Sequence, residues 1–550
     1  MPADSPDPTD PWLREAQTFP HLSAEMIERA STYGSEELVP EGRFLFERGD
    51  HGIDFFVVIE GAIDILADHP LTGRARTFTY RAGQFTGEQN LFTDRRMLLS
   101  GFARAGGRIL RVPHAAFRAL ITGEPDLGEI IMRAYILRRA GFVRHARGGS
   151  VLIGHRSNGD LLRIQRFMTR NLYPVEVLDL VLDKTAETAL EAFDIQHAEL
   201  PVVITPDRTV LRNPSNAALA DMLGLTEPPE DGVVYDLAVV GAGPGGLAAA
   251  VYGASEGLRT IVVESMAPGG QAGTSSKIEN YLGFPTGISG QALAGRAHIQ
   301  AQKFGARLSV SRDAVKLDCS TSPYRISLSD GHVLSARAVV IATGARYRKL
   351  NLPNYDTFEG QGIHYAATAM ESLLCTEENI IVVGGGNSAG QAAIFLSRTA
   401  RHVHMLMRGG IAATMSDYLV QRIQSSPRIT LHQQSEITEL HGADSLEGVT
   451  WTNRETGETQ FLAATNVFVM IGAAPNTEWV KDCLELDRNG FVTTGAMCTE
   501  TAATNPYATT RPGIFAVGDV RSGSVKRVAS AVGEGSVVVA AIHQFLGLHH

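Results

Sequence analysis

Two glycine-rich turns give this 550-residue chain its clearest chemical signature. The first, Gly241-Ala242-Gly243-Pro244-Gly245-Gly246, follows the apolar run Asp236–Val240 and precedes an alanine-rich helical stretch. Such a turn lets the backbone approach a diphosphate, and the N-terminus of the following helix faces the phosphates. Glu264 follows Gly241 at a spacing that suits a ribose hydroxyl. The pattern predicts a dinucleotide site formed by Gly241, Gly243, Pro244, Gly245, Gly246 and Glu264.

The second turn, Gly384-Gly385-Gly386-Asn387-Ser388-Ala389, follows the apolar run Ile380–Val383. The count that reaches Glu264 from the first turn reaches Met407 here, and Arg408 comes next. Without a carboxylate for the ribose 2′-hydroxyl, and with an arginine for a 2′-phosphate, the site favours NADPH, with NADH as the alternative. Its predicted residues are Gly384, Gly386, Asn387, Ser388, Ala389, Arg408 and Gly472.

Residues 233–550 resemble the bacterial thioredoxin reductases in several further segments. These segments are Gly269-Gly270-Gln271, Ile278-Glu279-Asn280, Ala342-Thr343-Gly344, Gly518-Asp519-Val520 and Arg527-Val528-Ala529. The resemblance implies FAD as the cofactor of the first turn, with Asp519 on the ribityl chain and backbone N–H groups of Val528 and Ala529 at the pyrimidine ring. It adds to the predicted FAD site Gly270, Gln271, Asn280, Thr343, Gly344, Asp519, Val528 and Ala529.

The family's redox dithiol is missing from this sequence. In the thioredoxin reductases two cysteines relay electrons from the reduced flavin to a protein disulfide, whereas the matching positions here are Ala366 and Ala369. A methyl group can do neither part of that reaction. The resemblance therefore implies an FAD-dependent NAD(P)H oxidoreductase whose flavin passes electrons to an unidentified small molecule, quinone, O₂ or iron–sulfur protein.

Two alternatives stay open. One is a non-catalytic sensor or scaffold that binds FAD and nucleotide and reports redox state through domain motion. The other is thioredoxin-type disulfide reduction through a lone thiol, Cys375, close after Ala369. The chain holds four cysteines, Cys319, Cys375, Cys483 and Cys498, and no C-x-x-C, so we expect free, buried structural thiols. His364 and Tyr365 are expected to be packed or hydrogen-bonded.

Alternating strands and helices predict that the two turns belong to doubly wound α/β domains. The predicted FAD-binding domain comprises residues 233–351 and 476–550, and the predicted NAD(P)H-binding domain comprises residues 352–475. The family forms homodimers, so the resemblance implies a homodimer here as well.

The segment 148–225 reads β-α-β-α-β-β-α and resembles a thioredoxin or glutaredoxin domain. Ser157-Asn158-Gly159-Asp160 stands where that fold has its C-x-x-C, and Pro201 fits its proline, which is often cis. This small α/β domain therefore lacks a dithiol as well. We expect it to dock a partner or to link domains.

Short β-branched and aromatic runs broken by glycine predict a β-barrel over residues 21–147, after a flexible tail at 1–20. The barrel resembles a cyclic-nucleotide-binding domain, in which Gly87 and Glu88 would begin the phosphate cassette. The position of the family's phosphate-binding arginine holds Leu99, and Arg95-Arg96 is out of register. A cyclic nucleotide is thus a candidate effector, and an empty or repurposed barrel is the alternative.

The bulk composition limits the classes of partner. The chain has 59 acidic and 49 basic residues, and this net charge of −10 is spread along the sequence, which argues against nucleic acid or an acidic membrane as the main partner. The sequence contains no run of eighteen apolar residues, so no membrane span is predicted. The first residues show no secretory signal, so a cytoplasmic location is expected. No metal site is predicted.

Overall fold

The computed structural model describes residues 10–87, 92, 95–156, 158–275, 278, 281–359, 362–365, 367, 372, 375–411, 415–443, 445–498 and 505–547. Four sheet-based units follow one another along the chain, and the fourth is inserted into the third. The predicted multidomain fold class, with a barrel-like unit, a small α/β unit and two doubly wound units, is confirmed.

The N-terminal unit is built from two antiparallel sheets and three longer helices. Its strands are β1 Ser35–Val39, β2 Phe44–Phe46, β3 Phe55–Val58, β4 Ala62–His69, β5 Gly73–Arg81, β6 Ser100–Ala105 and β7 Gly107–Val112. Its helices are α1 Glu15–Thr18, α2 Ala24–Ser31, α3 His114–Gly123 and α4 Pro125–Arg144. The strand orders are β1-β7-β3 and β2-β6-β4-β5. Every residue of β3 is buried, so the core lies between the sheets and the last two helices.

A fully buried arginine fastens α4 to this barrel. The Arg138 guanidinium donates to the backbone carbonyl oxygens of Thr18 (2.9 Å), Phe85 (3.1 Å) and Gly87 (3.2 Å). It also lies 4.6 Å from the ring centre of Phe85. Carbonyl groups and aromatic faces compensate the charge, because a buried cation without such partners is costly. Helix α4 therefore fixes the start of the predicted phosphate cassette through the hydrogen bond from Arg138 to the Gly87 carbonyl oxygen.

The second unit has a four-stranded sheet in the order β11-β10-β8-β9. Its elements are β8 Ser150–Gly154, α5 Gly159–Arg170, β9 Val175–Asp179, α6 Lys184–Ala192, β10 Val202–Ile204, β11 Val210–Arg212 and α7 Asn216–Met222. Strands β8 and β9 are parallel, whereas β10 runs antiparallel to β8. The Leu200–Pro201 peptide before β10 is cis. Element order and proline both match the predicted thioredoxin-like unit.

The third unit has a seven-stranded sheet in the order β14-β13-β12-β17-β16-β15, with β28 beside β17. Its strands are β12 Val234–Val240, β13 Thr260–Glu264, β14 Arg307–Val310, β15 Ala314–Asp318, β16 Tyr324–Leu328, β17 Val333–Ile341 and β28 Ile514–Ala516. Its helices are α8 Pro244–Ser255, α9 Gly290–Lys303 and α13 Val528–Gly547. Strands β14, β13, β12, β17 and β28 are parallel, so their carboxyl ends share one edge.

The fourth unit has a parallel five-stranded sheet in the order β19-β26-β20-β21-β22, with a three-stranded meander. Its strands are β19 Ile363–His364, β20 Asn379–Val383, β21 His402–Leu406, β22 Ile429–His432, β23 Ser435–His441, β24 Gly448–Asn453, β25 Thr459–Leu462 and β26 Asn466–Val469. Its helices are α10 Tyr355–Phe358, α11 Asn387–Leu396 and α12 Asp417–Gln424. Two connecting strands, β18 Ala345–Tyr347 and β27 Ala473–Pro475, pair with each other and join it to the third unit.

Among the described residues, one helix has the length and apolar composition that a membrane span requires. This is α13, and it was not expected to qualify. Its residues Val538, Val539 and Ile542 are fully buried in a core shared with Leu247 of α8. In this structure α13 is a core helix of the third unit.

The expectation of four free thiols is wrong. Cys319, directly after β15, forms a disulfide with Cys483, whose Cα atom is 6.1 Å from that of Cys319. The two are 164 residues apart in sequence, and only the fold of the third unit brings them together. Among the described residues Cys375 and Cys498 take no part in a disulfide, and Cys375 is fully buried.

A buried ion pair joins the N-terminal unit to the segment before β12. A guanidinium nitrogen of Arg95 lies 3.6 Å from a carboxylate oxygen of Glu227, and both side chains are about nine-tenths buried. Glu227 also accepts a hydrogen bond from the Gln302 amide of α9. In the same region Arg118 of α3 donates to the Gln302 carbonyl oxygen. The arginine considered for a phosphate is thus engaged with an internal carboxylate.

We predict that Glu227→Gln lowers the free energy of unfolding by about 3 kcal/mol, because it removes the carboxylate that pairs with the buried Arg95 charge. Equilibrium unfolding in urea measures this loss of free energy. Glu230→Gln is the control, since Glu230 pairs with Arg259 and Arg307 in a partly exposed setting and should cost under about 1 kcal/mol. The double variant Arg95→Met/Glu227→Gln should recover most of the loss. Equal effects of Glu227→Gln and Glu230→Gln would contradict the prediction.

Candidate active site

The first glycine turn leaves the carboxyl end of β12 and leads directly into α8. Gly241 has φ +102°, and a Cβ atom placed on it would lie 2.3 Å from the carbonyl oxygen of Ala342. A Cβ on Gly246 would lie 1.9 Å from the carbonyl oxygen of Gly241. Gly243 has open space at the same place and caps the helix that starts at Pro244. The turn therefore forms a shallow cradle in front of a helix N-terminus.

A second loop forms the opposite wall of this cradle. A Cβ placed on Gly270 would lie 3.0 Å from the Cα atom of Gly243, so the two backbones face each other across a narrow gap. The Gly269 N–H donates to the Ala242 carbonyl oxygen at 2.7 Å. The Gln271 amide donates to the Ala345 carbonyl oxygen at the start of β18. Asn280, also predicted here, lies outside the described residues.

Glu264 lies at the end of β13 and ties both walls together. Its carboxylate accepts the Ala242 N–H at 2.7 Å and the Met266 N–H at 2.9 Å. The side chain is buried, at 8% exposure. The predicted ribose acid therefore stands beside the first turn, where the spacing from Gly241 requires it.

The remaining predicted flavin residues line the continuation of the same edge. Asp519 follows β28, and burial raises the pKa of its carboxyl group. The neighbouring Gly518 N–H donates to Glu534 at 2.6 Å, and Arg521 binds the same carboxylate at 2.7 Å. Val528 and Ala529 form the first turn of α13, where helix N–H groups have no partner inside the helix.

These residues fit a flavin dinucleotide. The cradle has no side chain on Gly243 or Gly270, and the N-termini of α8 and α13 supply backbone donors for anionic and carbonyl oxygens. Glu264 and Asp519 would supply acceptors for hydroxyl groups of such a cofactor at two places along the edge.

The second glycine turn repeats this geometry in the fourth unit. Gly384 has φ +140°, and a Cβ atom on it would lie 2.4 Å from the carbonyl oxygen of Met470. Helix α11 starts at Asn387, whose side-chain oxygen accepts the Ser416 N–H at 2.7 Å. Ala389 is fully buried against the turn, while Asn387 and Ser388 are exposed. Gly386 lies open at the helix start.

The end of β21 carries the residue expected to select the nucleotide. Met407 is buried, and its backbone bonds to His432 (N–H to O, 3.0 Å) and Ser435 (O from N–H, 2.9 Å). Arg408 follows at an exposed position on the same side as the glycine turn. Gly472, also exposed, accepts the Arg348 N–H at 3.0 Å just before β27.

An aromatic pair that the sequence did not predict links a connecting strand to the end of β19. Tyr347 of β18 stacks on Tyr365 with ring centres 5.5 Å apart and the rings almost parallel. Burial, and secondarily the negative charge of Asp519, raises the pKa of Tyr347. The pair therefore extends from beside Asp519 to the segment just before Ala366. A single, partly exposed tyrosine on a connector has no periodicity that would have indicated this pairing.

Asn476 fixes the same junction. Its amide donates to the Thr343 carbonyl oxygen at 2.7 Å, and the Thr343 hydroxyl donates to the Asn476 carbonyl oxygen at 2.8 Å. The Asn476 N–H also donates to the Gly344 carbonyl oxygen at 3.0 Å. Two predicted flavin residues are thus clamped to the second connector.

The predicted dithiol positions, Ala366 and Ala369, lie outside the described residues, and their identity rests on the sequence. Next to them, His364 contacts the Asn466 side-chain oxygen at 2.7 Å, and the Tyr365 hydroxyl donates to Glu359 at 2.7 Å. Both residues have the packed and hydrogen-bonded environment expected from the sequence. Cys375 is fully buried among Val382 and Met405, away from any incoming disulfide.

The other predicted sites are only partly described. Gly87 has φ +100° and its carbonyl is held by Arg138, whereas Glu88 lies outside the described residues. Leu99, at the family's arginine position, is buried. In the second unit Asn158 caps α5 by accepting the N–H groups of Asp160 (2.9 Å) and Leu161 (3.0 Å).

Three histidines support the strand that leads to Arg408. His404 of β21 lies 3.1 Å from His432, ring nitrogen to ring nitrogen, and the His432 ring packs on Trp451 with ring centres 4.6 Å apart. Burial, then the neighbouring His432 and His402, lowers the pKa of His404 to about 4. The ring is therefore neutral in the folded protein at neutral pH.

We predict that acid weakens this unit through His404. The unfolded chain takes up the proton near the ordinary histidine pKa of about 6.5, so the stability from the neutral ring is complete above that pH and is lost as the pH falls towards 4. Thermal unfolding between about pH 7.5 and about pH 5 should have a shallower pH dependence in His404→Gln than in the wild type. His441→Gln, at a partly exposed histidine, is the control and should leave the slope unchanged. An unaltered slope in His404→Gln would refute this.

Comparison with known proteins places these features in a family context. The description "Pyridine nucleotide-disulphide oxidoreductase" matches residues 235–535, and "Cyclic nucleotide-binding domain" matches residues 36–124. The chain is 35% identical over 303 residues to the thioredoxin reductase of Streptomyces clavuligerus, covering 55% of this chain and 91% of that protein. It is 31% identical over 312 residues to an NADH dehydrogenase of Bacillus subtilis, covering 57% of this chain and 58% of that protein.

A solved structure agrees with this relationship. The thioredoxin reductase of Lactococcus lactis, in its FR conformation, superposes with a TM-score of 0.51 at 28% identity. The match covers 56% of this chain and 98% of that one. The shared part therefore comprises the third and fourth units.

Proposed function

Because the chain belongs to the pyridine nucleotide-disulphide oxidoreductase family, we propose that it is an FAD-dependent oxidoreductase that prefers NADPH and passes electrons directly from flavin to a non-disulfide acceptor. One observation carries the proposal: Ala366 and Ala369 replace the dithiol, while the glycine cradle, Glu264 and Asp519 of the flavin edge are all retained. If the chain had lost its function through random mutation, the residues of the flavin edge would have been altered as well as the dithiol.

Bound FAD would supply the hydride-accepting and electron-donating chemistry. The chain's own residues bind and orient the groups around it. Gly243 and Gly270 leave room for the diphosphate, and the N-terminus of α8 faces it. Asp519 has a raised pKa in a largely buried place, so it offers a polar contact in a region screened from water. Tyr347 and Tyr365 stack on each other at the connector strands, with Tyr347 within electrostatic reach of Asp519.

NADPH is the proposed donor because the end of β21 presents Arg408 and no carboxylate. A guanidinium pairs with a phosphate in a bidentate way, whereas a ribose 2′-hydroxyl is usually bound by an acid. The Bacillus subtilis relative is named for NADH, so the two donors must be compared directly.

The disulfide-reducing alternative finds little support. Cys375 is fully buried, and the Cys319–Cys483 disulfide lies in the third unit, apart from the 366–369 segment in sequence and in element. In our proposal the N-terminal unit regulates the enzyme or recruits its acceptor, with a cyclic nucleotide as candidate effector. A homodimer is proposed as well, supported by the resemblance to the thioredoxin reductases, which are often dimeric.

The proposal is tested by mixing the purified flavoprotein anaerobically with NADPH and then with NADH, followed by quinones, O₂, an iron–sulfur protein and a disulfide dye. We expect bleaching of the flavin and reoxidation by at least one acceptor other than the dye. No bleaching by either nucleotide would refute the enzyme, and bleaching without turnover on any acceptor would favour a redox sensor. Dye reduction that is lost in Cys375→Ser would favour the thiol route.

We also predict that Arg408→Ala raises the KM for NADPH about tenfold, the loss of roughly one charge-assisted hydrogen-bonded pair, and leaves the KM for NADH nearly unchanged. The two KM values are measured from steady-state rates of oxidation of NADPH and of NADH in the presence of an electron acceptor. Arg428→Ala is the control, because that arginine, near the start of β22, bonds to the carbonyl oxygens of Ser397 and Arg398. Equal KM changes for the two nucleotides in Arg408→Ala would contradict 2′-phosphate recognition.

A further inference from the structure

The C-terminal end of α5, in the thioredoxin-like unit, is seated on the loop that forms the second wall of the flavin cradle. The Arg170 guanidinium donates to the Gly270 carbonyl oxygen at 2.7 Å and lies 3.1 Å from the Met266 sulfur. The Asn171 amide donates to the Met266 carbonyl oxygen at 3.1 Å. From the other side, the Gln291 amide of α9 donates to the Thr169 carbonyl oxygen at 2.8 Å.

This contact is largely withdrawn from water, and the Arg170 charge in it is within electrostatic reach of the Glu264 carboxylate. Burial lowers the pKa of Arg170, and the nearby Glu264 carboxylate partly offsets that effect. The Met266 side chain packs against the hydrophobic core of the N-terminal units. A charged group held in such a place makes stronger electrostatic interactions than it would at the surface.

Only the peptide group of Gly270 lies between the Arg170 guanidinium and the cradle. It holds the carbonyl of Gly270, and Gly270 is the residue whose backbone faces Gly243. Helix α5 lies outside residues 235–535, the part of the chain that matches the family. The contact is therefore made by a segment that lies outside the family match.

We propose that Arg170 is an FAD-positioning residue, so that the thioredoxin-like unit, which has no dithiol, completes the flavin site of the neighbouring unit. Arg170 does this in two ways. Its hydrogen bond fixes the Gly270 wall of the cradle, and its positive charge lies beside the place where the anionic diphosphate binds. This inference rests on FAD binding in the proposed function.

The test compares Arg170→Met with Arg163→Met in the full-length protein. Arg163 is on the same helix, but its guanidinium bonds within its own unit, to Pro214, Asn216 and Asn213. After the flavin is removed, FAD binding is titrated by quenching of flavin fluorescence, and melting is followed with and without FAD. We expect Arg170→Met to raise the Kd for FAD about tenfold and to reduce the FAD-induced rise in Tm, the loss of one hydrogen bond from a charged donor. Arg163→Met should bind FAD within about twofold of the wild type.

Two further variants keep the test decisive. Arg170→Lys retains the charge and a donor, so it should recover most of the affinity, which a purely structural role of the guanidinium fork would not allow. Arg170→Gln retains a donor for the Gly270 carbonyl without the charge, and it replaces Arg170→Met if that variant does not fold. Unchanged Kd values in both Arg170→Met and Arg170→Gln, or equal losses in Arg170→Met and Arg163→Met, would overturn the inference. A wild type that binds no FAD would instead overturn the proposed function.

Discussion

The nucleotide-binding edges of this protein depend on one steric constraint, the contact between a strand and the first turn of the helix that follows it. At Gly246 and Gly241 the separation leaves no room for a Cβ atom, and the same holds between Gly384 and Met470. Any side chain there would push the helix N-terminus away from the edge of the sheet. The alignment of α8 and α11 with their ligands, and with it the position of Glu264 and Arg408, follows from that absence.

Features encoded by local sequence could be predicted closely. Both glycine turns follow the predicted apolar runs, since buried strands carry their own periodicity; β12 begins two residues before Asp236 and β20 begins one residue before Ile380. Helices α3 and α4 are separated only by Glu124, because Pro125 begins a new helix. The Glu264 carboxylate was predictable because its spacing is fixed by one βαβ unit.

Long-range pairings could not be predicted from the sequence. Nothing in the local pattern marks Cys319 and Cys483 as partners, and they meet only because β15 and the segment after β27 join the same unit. Arg138, Arg95 and Arg170 look like ordinary charged helix or loop residues, yet each is fully or partly buried against carbonyl groups or a carboxylate from another segment. Burial of a charge depends on the tertiary fold, and periodicity says little about it.

The discontinuity of the third unit has a consequence for how the protein is made. Strand β28 pairs with β17 only after the whole fourth unit has been synthesised, and Asp519 and the first turn of α13 emerge last. Until then the ribosome-bound chain presents β17 as an open sheet edge beside half a cofactor site, the kind of surface on which misassembly begins. The barrel and the thioredoxin-like unit are already complete at that stage. Arg170 can therefore bond to the newly made loop at Gly270 before the cofactor site is complete.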